Sequence, residues 1–204
     1  MTRDLQVIGL SGTNGSGKDS LGMLLAERYG YWFISVTELL REECRKRGLP
    51  VARENLRAIG NELRRNFGAA VLVDKAHAAY QVRLDAGEQY RGLVMASLRN
   101  PIEADRVHEL GGTVVWVDAD PKVRYDRIQT NAAARGRAEE DAKTFDQFLA
   151  EETAEMHPPE GGDHAVLDMA AVKQRADIFV QNNSDDIETF AQGAAQALGM
   201  NATL

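Results

Sequence analysis

Residues 12–20 read GTNGSGKDS and follow directly on an apolar run at residues 5–10. Glycine, four residues, then glycine and lysine is the spacing of a phosphate-cradling loop. Such a loop requires the order strand, glycine turn, helix. Gly12, Gly15 and Gly17 permit a tight turn in which successive backbone N–H groups face inward on an anion. The first turn of the following helix adds partial positive charge, and Lys18 adds a full one. Gly12, Asn14, Gly15, Ser16, Gly17 and Lys18 therefore form a candidate cradle for the polyphosphate of a nucleotide. One departure marks the motif: the residue after the lysine, usually Ser or Thr, is Asp19, with Ser20 behind it. Without the strand before it, the same stretch would read as a flexible glycine turn.

A buried strand ahead of such a loop belongs to a larger pattern. Short apolar runs at 5–11, 31–35, 92–96, 113–118 and 177–180 are rich in β-branched residues and read as parallel strands covered on both faces. Between them lie amphipathic segments. In 18–29, Leu21, Leu24 and Leu25 share a face with Tyr29. In 185–198, Ile187, Phe190, Ala191, Ala194 and Leu198 form another stripe, with Ser184 or Asp185 as its cap and Gly199 at its end. Strand and helix alternating over the whole length predict an α/β fold in three layers, a five-stranded parallel sheet with helices on both faces.

Two regions break the alternation, and both read as insertions within one domain spanning 1–204. Residues 37–86 hold only helical patterns, among them the charged LLREECRKRG and RENLRAIGNELRRNFG. Residues 130–163 are polar, with apolar periodicity returning at Phe145, Phe148 and Leu149 and a Pro- and Gly-rich loop, MHPPEGGD, at 156–163.

Composition limits the partners. The net charge of −7 argues against broad binding to nucleic acid or to an anionic membrane, so phosphate recognition has to come from local basic clusters. No apolar run approaches the ~20 residues that span a bilayer. Cys44 is the only cysteine, so no internal disulfide forms. With an N-terminal stretch, MTRDLQV, that lacks a signal-peptide core, the expectation is a cytoplasmic protein. The histidines, His77, His108, His157 and His164, lack metal-ligand spacing.

In an open parallel sheet, ligands bind outside the carboxyl ends of the strands. Four groups fall there. After the second strand, Thr37 and Arg41 lie one helical turn apart and can face a monophosphate, although the run Arg41 to Arg47 also reads as a solvated face of intrahelical pairs. After the third, Arg99 precedes Pro101, which opens a helix; it is either a phosphate fork or a surface arginine. After the fourth, Asp118 and Asp120 can join a water-bridged magnesium shell, Asp120 alternatively capping the next helix. From Lys122 to Lys143 there are six basic and four acidic residues, including Arg124, Arg127, Arg135 and Arg137, the composition of a lid that brings arginines onto transferring phosphates, or of a solvated loop. After the last strand, Asn182 and Asn183 either read a purine ring or make a turn before the final helix.

Together these residues resemble the nucleoside monophosphate kinase branch of the phosphate-loop proteins, a group that includes adenylate kinases, dephospho-coenzyme A kinases and phage-type deoxynucleoside monophosphate kinases. The Gly-Lys-Asp variant looks like the loop of the phage-type enzymes and of phosphomevalonate kinases. SVTELLREE is similar to the adenylate-kinase segment that holds the acceptor monophosphate, which implies that role for Thr37 and Arg41; GLVMASLRNPIEAD resembles the strand leading to an acceptor-phosphate arginine, here Arg99. VDADPKVRYDRI followed by Arg135 and Arg137 resembles strand, helix and lid, and ADIFVQNNSD the adenine-side strand of dephospho-coenzyme A kinases.

The resemblance implies an ATP- and Mg²⁺-dependent kinase of a small molecule, a nucleoside or deoxynucleoside monophosphate. Lys18 bridges the β- and γ-phosphates, Ser20 with Asp19 or Asp118 places the metal, Arg41 and Arg99 hold the acceptor phosphate in line, and the lid arginines Arg127 and Arg135 neutralise the transferring group. Adenylate kinases carry an Asp before the acceptor arginine, where this chain has Ala96-Ser97-Leu98. The long stretch 53–85 has no close counterpart in small adenylate kinases. Two other readings remain: a dephospho-coenzyme A kinase with Asp19 as its base, and a regulatory nucleotide-binding module with little turnover.

Overall fold

The computed structural model describes residues 6–132, 142–156 and 167–200. Five strands, β1 (Val7–Ser11), β2 (Tyr31–Ser35), β3 (Gly92–Ala96), β4 (Thr113–Asp118) and β5 (Ile178–Gln181), form one parallel sheet in the order β2-β3-β1-β4-β5. The central strand is β1, with Gly9 beside Met95 of β3 on one side and Val114 of β4 on the other. The chain leaves β1 toward one edge and later returns from β3 across it to β4. The carboxyl ends of β1, β3 and β4 therefore surround the point where strand order reverses, and the glycine loop sits there.

Alternation along the strands sorts their side chains into two cores. Ile8, Leu10, Val94, Ala96, Val115 and Val117 face one side, under α1 (Lys18–Tyr29) and α9 (Ile187–Ala197). Val7, Leu93, Met95, Val114 and Trp116 face the other, under α2 (Val36–Lys46), α3 (Arg53–Phe67), α4 (Val71–Asp85), α5 (Pro101–Glu109) and α8 (Met169–Gln174). Burial on both faces is why β1 and β3 read as unbroken apolar runs. The edge strand β5 departs from that expectation: Ile178 and Val180 are buried, while Phe179 and Gln181 are exposed among the described residues.

Three of the five expected strands, β2, β3 and β4, match their apolar runs to the residue, β1 begins at Val7 within the run 5–11, and β5 is displaced by one residue. Helix α1 occupies 18–29 as expected, and its Leu21, Leu24 and Leu25 are buried. The cap of α9 is Asp186, whose carboxylate accepts from the N–H groups of Glu188 and Thr189, rather than Ser184 or Asp185. The polar region that begins at 130 contains a helix, α7 (Phe145–Met156), which starts where the apolar periodicity returns at Phe145, Phe148 and Leu149 and runs on through polar residues to Met156. It docks against α6 (Pro121–Thr130) through Phe145 and Phe148, whose rings contact Tyr125 at centroid distances of 5.3 and 5.8 Å. The expected lid arginines Arg135 and Arg137 lie outside the described residues.

Candidate functional site

The glycine loop is fixed from both sides. Ser11, at the end of β1, donates from its buried hydroxyl to the carbonyl of Leu98 at 2.8 Å, tying the start of the loop to the chain that follows β3. Gly12 has φ +144°, and a Cβ there would lie 2.1 Å from the carbonyl oxygen of Val117. Gly17 has φ +94°, and its Cβ would lie 2.3 Å from the Asn182 amide nitrogen. Both positions combine left-handed backbone with contact against polar neighbours, which only glycine accommodates. Gly17 is also the N-cap of α1 and supplies no side-chain cap, so the first N–H groups of that helix remain directed into the loop.

Two hydroxyls in this loop have no hydrogen-bond partner among the described residues, Thr13 Oγ1 and Ser16 Oγ, and both are buried. An unpaired buried polar group costs about 1–3 kcal/mol. A loop that carries two of them, next to oriented amides and the ammonium of Lys18, has the donors an anion needs. Lys18 is itself 7% exposed and reaches back over the loop, its Nζ 3.3 Å from the carbonyl of Thr13.

The loop forms one wall of an open cleft of about 990 Å³. Its lining includes Lys18, Asp19 and Ser20 from the loop and α1, Thr37, Ser97 and Arg99 from beyond β2 and β3, and Arg127, Asn131, Asn182 and Ser184 from α6 and its end and from beyond β5. Asp19 and Ser97 meet across it, the Ser97 hydroxyl 3.5 Å from Asp19 Oδ1. Ser97 stands just past β3 with φ +73°, the one non-glycine residue in left-handed backbone among those described. Such a conformation is held by its surroundings at a cost and concentrates at functional sites.

Arg99 is fixed at three points. Its N–H donates to Glu103 Oε2 at 2.8 Å, its carbonyl accepts from the N–H of Asp168 at 3.1 Å, and its guanidinium pairs with Glu155 Oε2 at 2.8 Å. Glu103 belongs to a capping box in which Asn100 caps α5 and Glu103 accepts from the Asn100 N–H. The other oxygen of Glu103 receives two bonds from Arg64 of α3, at 3.0 and 2.7 Å, in a pair almost wholly removed from water. Glu155, in the last turn of α7, also pairs with Arg53 of α3, and Arg57 lies 3.8 Å away. Burial alone would raise the Glu155 carboxyl, but Arg99 and Arg53 outweigh it and hold the group down at about 2.

The other candidates divide. Thr37 lines the cleft, but Arg41 does not: it pairs with Glu38 one turn earlier at 2.9 Å, the solvated-face alternative of the sequence. Burial would raise the Glu38 carboxyl, and the bonds from Arg41 and Arg45 lower it. Asp118 lies outside the cleft lining, accepting from Ala119 N, Trp116 Nε1 and Lys173 Nζ at 3.0, 3.2 and 3.2 Å. Asn182 supports the loop, its Nδ2 donating to Ser16 O at 2.8 Å. Asn183 accepts from Asp120 N at 2.8 Å and does not line the cleft. Arg127 reaches the cleft while donating to the carbonyls of Asn182 and Ser184 at 2.8 and 2.6 Å. Arg124 lies beneath the loop, bonded to Ala119 O at 2.7 Å and paired with Glu152 of α7.

Four contributors went unread in the sequence: Arg53, Glu103, Glu152 and Glu155. The capping box was legible as Asn-Pro-Ile-Glu at 100–103. The α7 carboxylates carried no comparable signal, since acidic residues on a helix most often face water.

A family model described as the AAA domain matches residues 8–147, from β1 to the first turns of α7. The chain belongs to the AAA domain family. A UPF0200 protein of Pyrobaculum aerophilum is 28% identical to this AAA domain protein over 196 residues, covering 95% of this chain and 97% of that one. A UPF0200 protein of Methanocaldococcus jannaschii is 24% identical, with 89% and 88% covered. Among solved structures, shikimate kinase of Bacteroides thetaiotaomicron is similar with a TM-score of 0.56 at 16% identity, covering 95% of this chain and 98% of that one. A Thermus thermophilus protein is similar at 0.55 and 18%, covering 96% and 97%. The fold is thus that of kinase-like phosphate-loop proteins. Among the described residues of this AAA domain protein, no helix is long and apolar enough to cross a membrane.

Proposed function

We propose that this chain is a phosphotransferase that moves the γ-phosphate of ATP onto a small molecule, a nucleoside or deoxynucleoside monophosphate. The observation that supports it most is that Lys18 and Arg99 line one cleft, together with the loop hydroxyls of Thr13 and Ser16, which have no partner among the described residues. Phosphoryl transfer asks a protein mainly for positioning and charge neutralisation. The loop amides and Lys18 hold the nucleotide phosphates, Arg99 orients the acceptor in line, and Arg127 at the cleft edge neutralises developing charge, with Arg135 as the lid contribution. Gly12, Asn14, Gly15, Ser16 and Gly17 shape the nucleotide side, and Thr37 borders the acceptor.

The oxygens available to a metal suit magnesium. Asp19 and Ser20 line the cleft beside Lys18, and hard oxygen donors are what Mg²⁺ takes. Among the described residues there is no group of three or more His, Cys, Asp or Glu side chains able to hold a metal by themselves, so phosphate oxygens and water complete the shell. Mg²⁺ supplies neutralisation of phosphate charge when bound. Asp118, engaged by Lys173, is the weaker candidate.

A second reading, a dephospho-coenzyme A kinase, is favoured by one observation: Arg41 faces Glu38 rather than the cleft, which leaves fewer guanidiniums for an acceptor phosphate. Asp19 would then serve as base toward a ribose hydroxyl. A panel of monophosphates and dephospho-coenzyme A, each with Mg·ATP, separates the two. Product from a monophosphate supports the first, and product from dephospho-coenzyme A alone supports the second. Nucleotide binding with no product from any acceptor overturns both in favour of a regulatory module. In either enzyme Lys18→Ala lowers turnover by about 100-fold or more, the effect of losing one strong electrostatic contact to the transition state.

A further inference from the structure

The acidic helix α7 is surrounded by arginines from three other places in the fold. Glu155 presents both of its oxygens to guanidiniums: Oε1 to Arg53, with Arg57 at 3.8 Å, and Oε2 to Arg99 at 2.8 Å. Arg53 also pairs with Glu151 Oε2 at 2.7 Å, so two carboxylates meet three cations here, and one of the three, Arg99, also lines the cleft that holds Lys18. A second, small cavity adjoins this cluster. It is lined by Thr13, Asn14, Arg53 and the α7 carboxylates Glu151, Glu152 and Glu155, and has a volume of about 10 Å³. That is space for one water at most and far too little for a phosphate group. Asn14 borders both spaces, so the small cavity connects the phosphate loop with the arginine cluster.

We infer that Arg53, Arg57 and Arg99 form a second anion site, which the Glu155 carboxylate fills in this structure and from which a phosphomonoester of the acceptor displaces it. The inference rests on the phosphotransferase reading and deepens it by naming the group that the acceptor carries and the helix that reads it. With Glu151 retained on Arg53, the three guanidiniums leave a charge of about +2 and several N–H donors, which a phosphomonoester matches better than the one carboxylate of Glu155 does. The exchange needs no unfolding of α7. Glu152 keeps its pair with Arg124 at 2.9 Å, Phe148 stays buried, and Glu151 retains Lys143 at 2.5 Å, so the helix remains anchored while the Glu155 side chain rotates away. The carboxylate then acts as a selective plug. It neutralises the arginines when no acceptor is bound, and it gives way only to a ligand of higher charge.

Inorganic phosphate is the probe, titrated by calorimetry into the protein saturated with a magnesium complex of a non-hydrolysable ATP analogue, so that the loop is already filled. Glu155→Gln removes the resident charge and keeps the shape. It should bind phosphate at least tenfold tighter than the wild type, and Glu155→Gln with Arg53→Ala should lose that gain. Equal affinity in wild type and Glu155→Gln overturns the inference, as does a gain that survives Arg53→Ala. If Glu155→Gln does not fold, Arg57→Ala at its exposed position provides the reading: phosphate binding weakens severalfold if the inference holds and is unchanged if it does not. Failure of the wild type to bind the ATP analogue sinks the kinase reading. The phosphate titration without nucleotide still reads the arginine cluster through its dependence on Arg53.

Discussion

Asn182 and Ser16, 166 positions apart, are joined by a hydrogen bond of 2.8 Å from the asparagine amide to the serine carbonyl. The bond ties the end of β5 to the underside of the phosphate loop, and Gly17 is what lets the two approach. A methyl at position 17 would meet that amide nitrogen at 2.3 Å and would also have to adopt φ +94°. Gly17→Ala therefore breaks the bond or distorts the loop. Calorimetric titration with Mg·ATP should show affinity reduced at least tenfold, while the thermal midpoint falls by a few degrees at most. Unchanged affinity would remove the loop from the binding site.

The pair Arg64–Glu103 governs stability. Its side chains are 3% and 0% exposed, and Glu103 also accepts from the N–H groups of Arg99 and Asn100. Removing one member of a buried ion pair leaves an uncompensated charge and costs about 3–5 kcal/mol. Arg64→Leu should lower the free energy of unfolding by about that amount in a urea titration, with the slope m unchanged. A loss under about 1 kcal/mol would mean that the Glu103 charge is satisfied by the two backbone donors alone.

The two outcomes expose what the sequence made legible. Strand positions, the loop and α1 were readable because burial on both faces leaves continuous apolar runs, and a phosphate loop leaves glycines at fixed spacing. Arg64 was not: it lies inside RENLRAIGNELRRNFG, where a buried arginine looks like its exposed neighbours Arg57 and Arg65. The later turns of helix α7, past Leu149, were unreadable for a related reason. The helix is held by Phe148 and by carboxylates paired with Arg53, Arg99 and Arg124, and ion pairs between distant elements leave no period in the chain. Arg41 was placed in the acceptor site by resemblance, yet Glu38 three residues before it provides a local partner. At Asn182 the position was legible and the contact was not, since only the fold brings residue 182 under residue 16.

Glu155 gives the molecule an acid limit. Its carboxyl titrates at about 2 in the folded protein, well below the ~4.3 of an unfolded glutamate, because Arg99 and Arg53 outweigh the effect of burial. A depressed folded value means that the stabilisation is complete above the unfolded value and is lost as the pH falls through the folded one. The window is thus from about pH 4.3 down to about pH 2, and the contribution is on the order of 3 kcal/mol. Glu155→Gln removes a titrating group and not merely a contact. Stability curves between pH 2 and 5 should be shallower for the variant than for the wild type, and parallel curves would contradict the assignment.

Asp19 and Ser97 invert an expected pairing of acid and hydroxyl: a carboxylate follows Lys18, where the phosphate-loop pattern usually has Ser or Thr, and a hydroxyl stands past β3, within the stretch 96–98 where the resemblance leads one to expect an Asp. Their oxygens are 3.5 Å apart, close enough to serve one ion or one water. If the pair acts as a unit toward magnesium, what matters is that one carboxylate and one hydroxyl face each other, whichever side carries which. Asp19→Ser alone should then weaken the dependence of nucleotide binding on Mg²⁺, read as the ratio of affinities with and without the metal. Asp19→Ser with Ser97→Asp should restore most of that ratio. The exchange is sterically reasonable, because aspartate tolerates left-handed backbone better than most residues and position 97 has φ +73°. Ser97→Asp alone would place two carboxylates together and should raise the Mg²⁺ requirement, since like charges at that distance repel without an ion between them. A double variant no better than Asp19→Ser would show that the carboxylate acts from position 19 only, as a base toward the acceptor or as a helix N-terminal charge.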